Sequence, residues 1–586
     1  MQKKAIKKFV FLILIINLMI GHHALTQESK KNIQQQEKEE IPKPAYEVEV
    51  IVTNVDVAVT DKKGNRITDL KPENFEIYEE GLLQKLTNFY EVKGMEVYAS
   101  VPDKEKKKPS VPLKPVPKKS VQIRNKIIIY FDNWHLHPMN RNWSIKRLES
   151  FIRNNFPAED TNNQGMIVCL GQKLEIIQRF TSNEWQLLQS INQVKKRTGQ
   201  SILRRREKDE LRKELNRMVT ETGRMDMFEN YERAIGYARN YVEAEQNDLF
   251  YSLKSLSAFI DYLTGIEGKK MLIYVSDGLP INPGEEVFAF LDQAFARGQA
   301  RSEALNYDAT RIFKELTARC NANEIALYPI NAQGLESMIL SADKDAGWNI
   351  YARGAGMVKP GSRVKNDALK LMANETGGLA VLNTNDIESG LKKIEGDLHF
   401  YYSLGYVSPH REDDKYYSIK VKLKGVKEKY NVRVRHGYRR VSPEVKIRET
   451  VLSRLFLQRQ YNPLEVMIQF MSLEPMPGSN RLRLTLKLLL PLKNLTLYPQ
   501  GKDYAGQIEV YFILMDSDNN VSSCYQLKED IVVPVRDYEI ALKSNYPYLC
   551  EMNVREGSYI FSLAVKDVLS GTINYIQFQK LIEKTE

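Results

Sequence analysis

The sequence predicts a multidomain α/β plus β protein: a doubly wound, mostly parallel sheet at the centre, an N-terminal β module before it and a C-terminal β-sandwich after it. Three observations carry this prediction. Between residues 124 and 397, strand-like segments alternate with helical ones, the rhythm of βα units. The first of these strands, Ile127-Ile128-Ile129-Tyr130-Phe131, is continuously apolar, as expected of a strand covered on both faces. On either side of this region apolar residues recur with period two, the pattern of half-buried antiparallel strands.

In chain order, four lysines (Lys3, Lys4, Lys7, Lys8) precede an apolar run from Phe9 to Ile20. A basic start and a run of about 12 apolar residues have the proportions of a secretory signal, since a spanning helix needs roughly 20. Residues 1–24 are therefore expected to direct export, with no other apolar stretch long enough to span a bilayer. Residues 25–44 are polar and read as a tether. Residues 45–95 form a small β module, marked by Val48, Val50, Val52, Val55, Val57 and Val59 and by turns at Asp61–Asn65 and Glu80-Gly81. Residues 96–123 are a Lys/Pro-rich linker, with seven lysines and five prolines between 101 and 120.

The α/β domain is expected over 124–397. Its strands are predicted at Ile127–Phe131, Met166–Leu170, Leu174–Phe180, Met271–Val275, Ile325–Ile330 and Leu379–Leu382. Residues 195–265 are charge-rich and helix-prone, and read as a helical insertion with solvated i,i+4 pairs. Three antiparallel strands are predicted in a β extension over 398–440. A helix at Val445–Gln458 then leads into the C-terminal β-sandwich, 441–586.

Composition narrows the function classes. At 586 residues, 42% hydrophobic and 27% charged, the chain has material for several cores of ordinary globular size. Four cysteines are too few for a disulfide framework; Cys169 and Cys320 read as buried thiols, while Cys524 and Cys550 are near enough in sequence to pair. The lysines of the signal and of the linker supply much of the net charge of +11 and the rest is spread out, without a basic stripe interleaved with aromatics, so no specific nucleic-acid partner is expected.

Two strand ends carry the chemistry. One strand closes on Phe131-Asp132 and another on Ser276-Asp277-Gly278. With the βα alternation around them, these segments resemble a von Willebrand factor A domain. Further segments narrow the resemblance to the bacterial exported VWFA-related family: Val57–Gly64 with Leu70–Gly81, Phe180-Thr181-Ser182, Tyr401–Tyr406 and Val434–Tyr438. The resemblance spans roughly residues 46–440 and implies a binding domain. It also implies a divalent cation at the carboxyl ends of the strands, held by an Asp-x-Ser-x-Ser loop, a threonine and a second aspartate.

Asp132 and Asp277 match the two aspartates, but the serine positions hold Trp134 and Leu136, which offer no oxygen to Mg2+ or Ca2+. Thr220 and Thr222 are the threonines available before a helical stretch. The expectation is therefore no cofactor, or Mg2+/Ca2+ at a degenerate site, with Asn133, Trp134, His135, Ser276 and Gly278 as a binding face around Asp132 and Asp277. Asp132 with His135 and His137 is an alternative zinc set that lacks a further ligand. Trp134 and Trp143 either form part of a binding face or cover the sheet.

The expected function is that of an exported, non-catalytic binding or adhesion protein engaging a protein or cell-envelope component. A structural scaffold of the envelope and an envelope hydrolase are the alternatives. No Gly-x-Ser-x-Gly, His-Glu-x-x-His or Walker motif supports the last.

Overall fold

The computed structural model describes residues 52–94, 96–100, 125–157, 163–220, 227–266, 268–295, 299–334, 361–410, 413–426, 428–455, 461–518 and 520–583. The expected signal, the tether, Thr222 and the linker beyond residue 100 lie outside them.

The chain begins with β1 (Val52–Thr60), β2 (Phe75–Glu79), β3 (Leu82–Gln84), β4 (Leu86–Lys93) and β5 (Glu96–Ser100). Glu80 and Gly81 both have positive φ (48° and 79°), the backbone that a two-residue hairpin between β2 and β3 requires. Residues 96–100, assigned to the linker by composition, instead pair with β4.

The central domain contains β6 (Lys126–Asp132), α1 (Pro138–Asn155), β7 (Gln164–Leu170), β8 (Leu174–Thr181), α2 (Glu184–Gln193), α3 (Ser201–Thr220) and α4 (Met227–Tyr262). It continues with β9 (Lys270–Ser276), α5 (Glu285–Phe295), α6 (Thr310–Ala322), β10 (Ile325–Asn331), α7 (Gly361–Thr376) and α8 (Ile387–His399). The sheet order is β10-β9-β6-β7-β8. All neighbours are parallel except β8, which returns antiparallel to β7. The predicted strand at Leu379–Leu382 is reduced to one parallel bridge, Val381 to Ile330.

Alternation along β6 explains the two-sided burial. Ile127, Ile129 and Phe131 enter one cluster with Ile145, Leu148 and Phe151 of α1 and Leu391 and Ile394 of α8. Ile128 and Tyr130 enter the opposite cluster with Leu253, Leu256 and Phe259 of α4, Phe313 of α6 and Met372 of α7. Each such side chain, fully buried, contributes about 1.5–3 kcal/mol. The sequence reading assigns all of 195–265 to an insertion, but α4 belongs to two cores. Its first half (Tyr231, Ala234, Ile235, Ala238, Val242) packs with α3 and α5, and its second half covers the sheet. A continuous helical periodicity carries no mark of where a helix passes from one core to another.

Beyond the central domain come β11 (Phe400–Val407), β12 (Tyr416–Leu423), β13 (Asn431–Val434) and β14 (Gly437–Arg439). They do not form an extension of their own. β1 lies between β11 and β13, β11 also pairs with β4, and β12 lies between β2 and β14. Strands from before and after the central domain thus share sheets and one core, including Val57, Ile77, Phe89, Leu404 and Ile419. Period-two patterning reveals which face of a strand is buried and leaves its partner unspecified. This module meets the central domain at Asp397, on α8. Its buried carboxylate takes a two-pronged ion pair from Arg433 (2.7 Å on each prong) and another from Arg66.

The last region opens with α9 (Pro443–Arg454). It continues as β15 (Met467–Pro475), β16 (Leu482–Pro491), β17 (Tyr498–Gln500), β18 (Asp503–Asp516), β19 (Tyr525–Pro534), β20 (Asn545–Val554), β21 (Gly557–Asp567) and β22 (Ile573–Ile582). One antiparallel sheet runs β15-β16-β20; in the other, β18 pairs with β17, β19 and β21, and β21 with β22. The two share a core containing Leu486, Leu488, Val510, Phe561 and Leu563. α9 covers the outer side of the second sheet with Ile447, Val451 and Leu455 against Tyr511 and Ile513, beside Tyr262 of the central domain. Cys524 and Cys550, expected as a possible pair, are unbonded and belong to different clusters.

Candidate functional site at the strand ends

Numbered by their order within the domain, the strands run 3-2-1-4-5 from β8 to β10, so the order reverses at β6. In open α/β sheets the ligand crevice lies outside the carboxyl ends of the strands at that reversal. The neighbours there are β6, ending in Asp132, and β9, ending in Ser276.

Asp132 is fully buried and committed to its own chain. Its Oδ2 accepts from Tyr274 Oη at 2.5 Å and lies 3.0 Å from His135 Nδ1. Its Oδ1 accepts from Ser252 Oγ at 3.2 Å and from the His135 amide at 3.4 Å. Its backbone carbonyl accepts from the amides of His135 and Leu136, closing the turn after β6. Burial, and then the nearby Asp132 charge, hold the Tyr274 phenol well above its ordinary range, so it remains a donor.

Asp277 faces different partners. Oδ2 accepts from the His137 amide at 2.8 Å and Oδ1 from Asn140 Nδ2 at 2.9 Å, so the side chain caps the start of α1 from the neighbouring strand. Burial raises its carboxyl to about 6 against the lowering effect of these two bonds. Among the described residues Asp132 and Asp277 share no hydrogen-bond partner.

This donor set does not fit Mg2+ or Ca2+. The Asp132 oxygens face hydrogen donors, and Trp134 and Leu136 stand where hydroxyl ligands would be needed. Among the described residues, no group of three or more His, Cys, Asp or Glu side chains is placed to hold a metal. The zinc alternative is replaced by two separate imidazole roles: His135 bonds to Asp132, while His137 Nδ1 accepts from the Met139 amide at the start of α1. Thr220 donates to the Asn216 and Arg217 carbonyls within α3 and does not join Asp132.

The residues expected as a binding face lie at these strand ends. Asn133, Ser276 and Gly278 are buried, and Trp134 and His135 are half-buried. Ser276 Oγ accepts from the Gly278 amide, and Gly278 (φ 91°) sits so close to Lys365 that a Cβ would lie 2.8 Å from the Lys365 Cβ. The Trp134 ring packs on Tyr251 with centroids 4.5 Å apart, and Trp143 packs against the opposite cluster, so the two tryptophans cover different faces of the sheet. The covering material is the chain's own segment 195–201: Asn133 Nδ2 donates to the Arg197 carbonyl, and Ser201 Oγ to the Leu136 carbonyl.

A serine, a histidine and an aspartate do meet here, but not as a nucleophilic triad. Ser252 Oγ and Asp132 Oδ2 each lie 3.0 Å from the same nitrogen, His135 Nδ1. A triad uses one ring nitrogen for each. Ser252 is also buried, at 2% exposure.

Sequence reasoning missed Tyr274 and Ser252. A tyrosine inside the otherwise apolar strand Met271–Val275 was a usable signal, because a buried phenol needs a partner. Ser252 gave none.

No family model matches the chain, and no curated protein does. Solved structures with some likeness include an aerotolerance-related membrane protein from Bacteroides fragilis NCTC 9343 bearing multiple mutations to serine, at 10% identity and TM-score 0.23. The match covers 47% of this chain and 98% of that one. The conserved hypothetical protein BatB from Bacteroides thetaiotaomicron matches at 8% identity and TM-score 0.22, over 47% and 98%. A von Willebrand factor type A structure from Catenulispora acidiphila matches at 7% identity and TM-score 0.22, over 85% and 74%. The central fold is doubly wound and mostly parallel. The strand order and the burial of both faces of the sheet show this. Among the described residues no helix is long and apolar enough to cross a membrane.

Proposed function

We propose that the chain is an exported, non-catalytic interaction protein whose A-like core works without a metal ion, its partner being a protein or a cell-envelope component. The observation that carries this reading is the saturation of Asp132 by Tyr274, Ser252 and His135. A carboxylate held by three side chains of its own fold supports neither a cation site nor a hydrolytic centre. Export rests on the expected signal, and interaction on the doubly wound fold with a strand-end edge. A structural scaffold is the second reading, favoured by the burial of Asn133, Ser276 and Gly278 at that edge.

The test is capture from an envelope extract on the immobilised chain, with excess Mg2+ or with EDTA. The same partner retained equally in both supports the proposal. Retention only with Mg2+ overturns it, and no retention in either condition favours the scaffold.

A further inference from the structure

Arg141, on the first turn of α1, is buried, with 6% of its surface exposed. Its guanidinium donates from Nη1 to the Arg197 carbonyl at 2.8 Å and from Nη2 to the Lys195 carbonyl at 3.1 Å, with Nε on Asn142 Oδ1. Among the described residues no carboxylate pairs with it. A buried guanidinium normally takes a carboxylate or phosphate across its two-pronged face, and a charged acceptor makes roughly twice as strong a bond as a neutral one. Here the fork is filled by backbone carbonyls of one short segment.

That segment, residues 195–201, crosses the carboxyl ends of β6 and β7. Gly199 lies so close to the residue after β6 that a Cβ would stand 1.7 Å from the Asn133 carbonyl oxygen. Gly171, just after β7, would put a Cβ 3.0 Å from the Thr198 carbonyl oxygen. Two glycines therefore admit the strap. Among the described residues, its other ties across the edge are Asn133 Nδ2 to the Arg197 carbonyl, Ser201 Oγ to the Leu136 carbonyl and the Arg197–Glu175 ion pair, while Lys195 and Arg197 also bond back to Asn192, Gln193 and Val194 at the end of α2. Beside the strap the buried Asn133 Oδ1 has no partner among the described residues. An unsatisfied group of this kind opposes the closed arrangement.

We propose that residues 195–201 are a displaceable strap over the strand-end edge, and that Arg141 is the recognition group beneath it for an acidic side chain of a protein partner. Displacing the strap empties the fork toward Lys195 and Arg197, and a partner carboxylate takes both prongs. It also frees Asn133, whose amide is tied to the strap, for the same partner. This inference rests on the interaction reading above and names the partner chemistry at that edge.

The test uses the full chain, a fluorescently labelled deca-glutamate peptide as probe and a deca-glutamine peptide as control. Gly199→Ala drives a methyl group toward the Asn133 carbonyl and should lift the strap. Amide hydrogen exchange in 195–201 should speed up at least tenfold and deca-glutamate affinity should rise at least tenfold, with no change for deca-glutamine. Adding Arg141→Gln should return affinity to the wild-type level, whereas Arg141→Lys should restore only part of the gain. Should Gly199→Ala not fold, Ser201→Ala removes one tie and should give the same pattern at two- to threefold. The proposal is overturned if exchange in the strap is unchanged in the folded variants. It is equally overturned if exchange rises without a gain in affinity, or if the gain survives Arg141→Gln and so belongs to Lys195 and Lys196. Capture of an envelope partner by the wild-type chain is a separate readout, so failure here leaves the interaction reading standing.

Discussion

Tyr274 Oη donates to Asp132 Oδ2 at 2.5 Å, joining the ends of two neighbouring parallel strands through a fully buried polar contact. A hydrogen bond to a buried charge is worth about 1.5–3 kcal/mol when its donor is removed. Tyr274→Phe keeps the ring and deletes the donor, so urea unfolding should show a loss of that size. Ser252→Ala, which removes the longer 3.2 Å bond, should cost less. Equal and negligible losses in both would mean that Asp132 does not depend on these donors.

Asp277 gives the opposite pH signature from an ordinary surface carboxylate. Its folded pKa is raised from 3.8 to about 6, chiefly by burial. The stabilising contribution is therefore complete below pH 4 and lost as pH rises through about 6. About two pKa units correspond to at most about 3 kcal/mol. Asp277→Asn is expected to flatten the stability profile between pH 4 and 7, with the variant gaining on the wild type toward pH 7. Denaturation midpoints at pH 4.5, 5.5 and 7 check this, and parallel profiles for the two proteins would contradict it.

Asp397 carries the reverse sign. Burial opposes its ionisation, but Arg433 and then Arg66 outweigh it and hold the carboxyl below its usual range. Its stabilisation is present above the ordinary carboxylate pKa and lost as pH falls through the lowered value. Asp397→Asn leaves two guanidinium groups at the module joint without their anion, a change expected to cost about 3–5 kcal/mol. Calorimetry should show a lower melting temperature and less additional loss on acidification than in the wild type.

Gly265 (φ 79°) passes so close to α9 that a Cβ would lie 2.4 Å from the Glu449 carbonyl carbon. Gly265→Ala therefore combines left-handed strain of about 1–3 kcal/mol with a backbone collision. The expected result is separate melting of the C-terminal region from the central domain. A single unshifted transition would show that α9 does not couple them.

The buried strands were the most legible part of the sequence. Ile127–Phe131 and Met271–Val275 are continuously apolar, and a segment so composed has few places to go except between two layers. Asp132 and Asp277 were legible as strand-end residues for the same reason. Their partners were not, because Ser252 and Tyr274 lie 120 and 142 residues from Asp132. The sharing of sheets between β1–β4 and β11–β14 was hidden likewise, since alternation in Val55–Val59 and Phe400–Tyr406 marks a face and not a neighbour. Closure of the edge by Gly199 leaves no local pattern at all: a glycine reports that backbone can come close, and only the fold says to what.

The most direct test of the proposed metal independence of the central domain is the melting temperature of the full chain titrated with Mg2+, Ca2+ and EDTA. A ligand at 100 times its dissociation constant stabilises a protein by about 2.7 kcal/mol, a shift of several degrees in a domain of this size. A metal-independent domain should show no saturable shift with either cation and none on adding EDTA. A saturable rise with Mg2+ or Ca2+ that Asp132→Asn abolishes would contradict it.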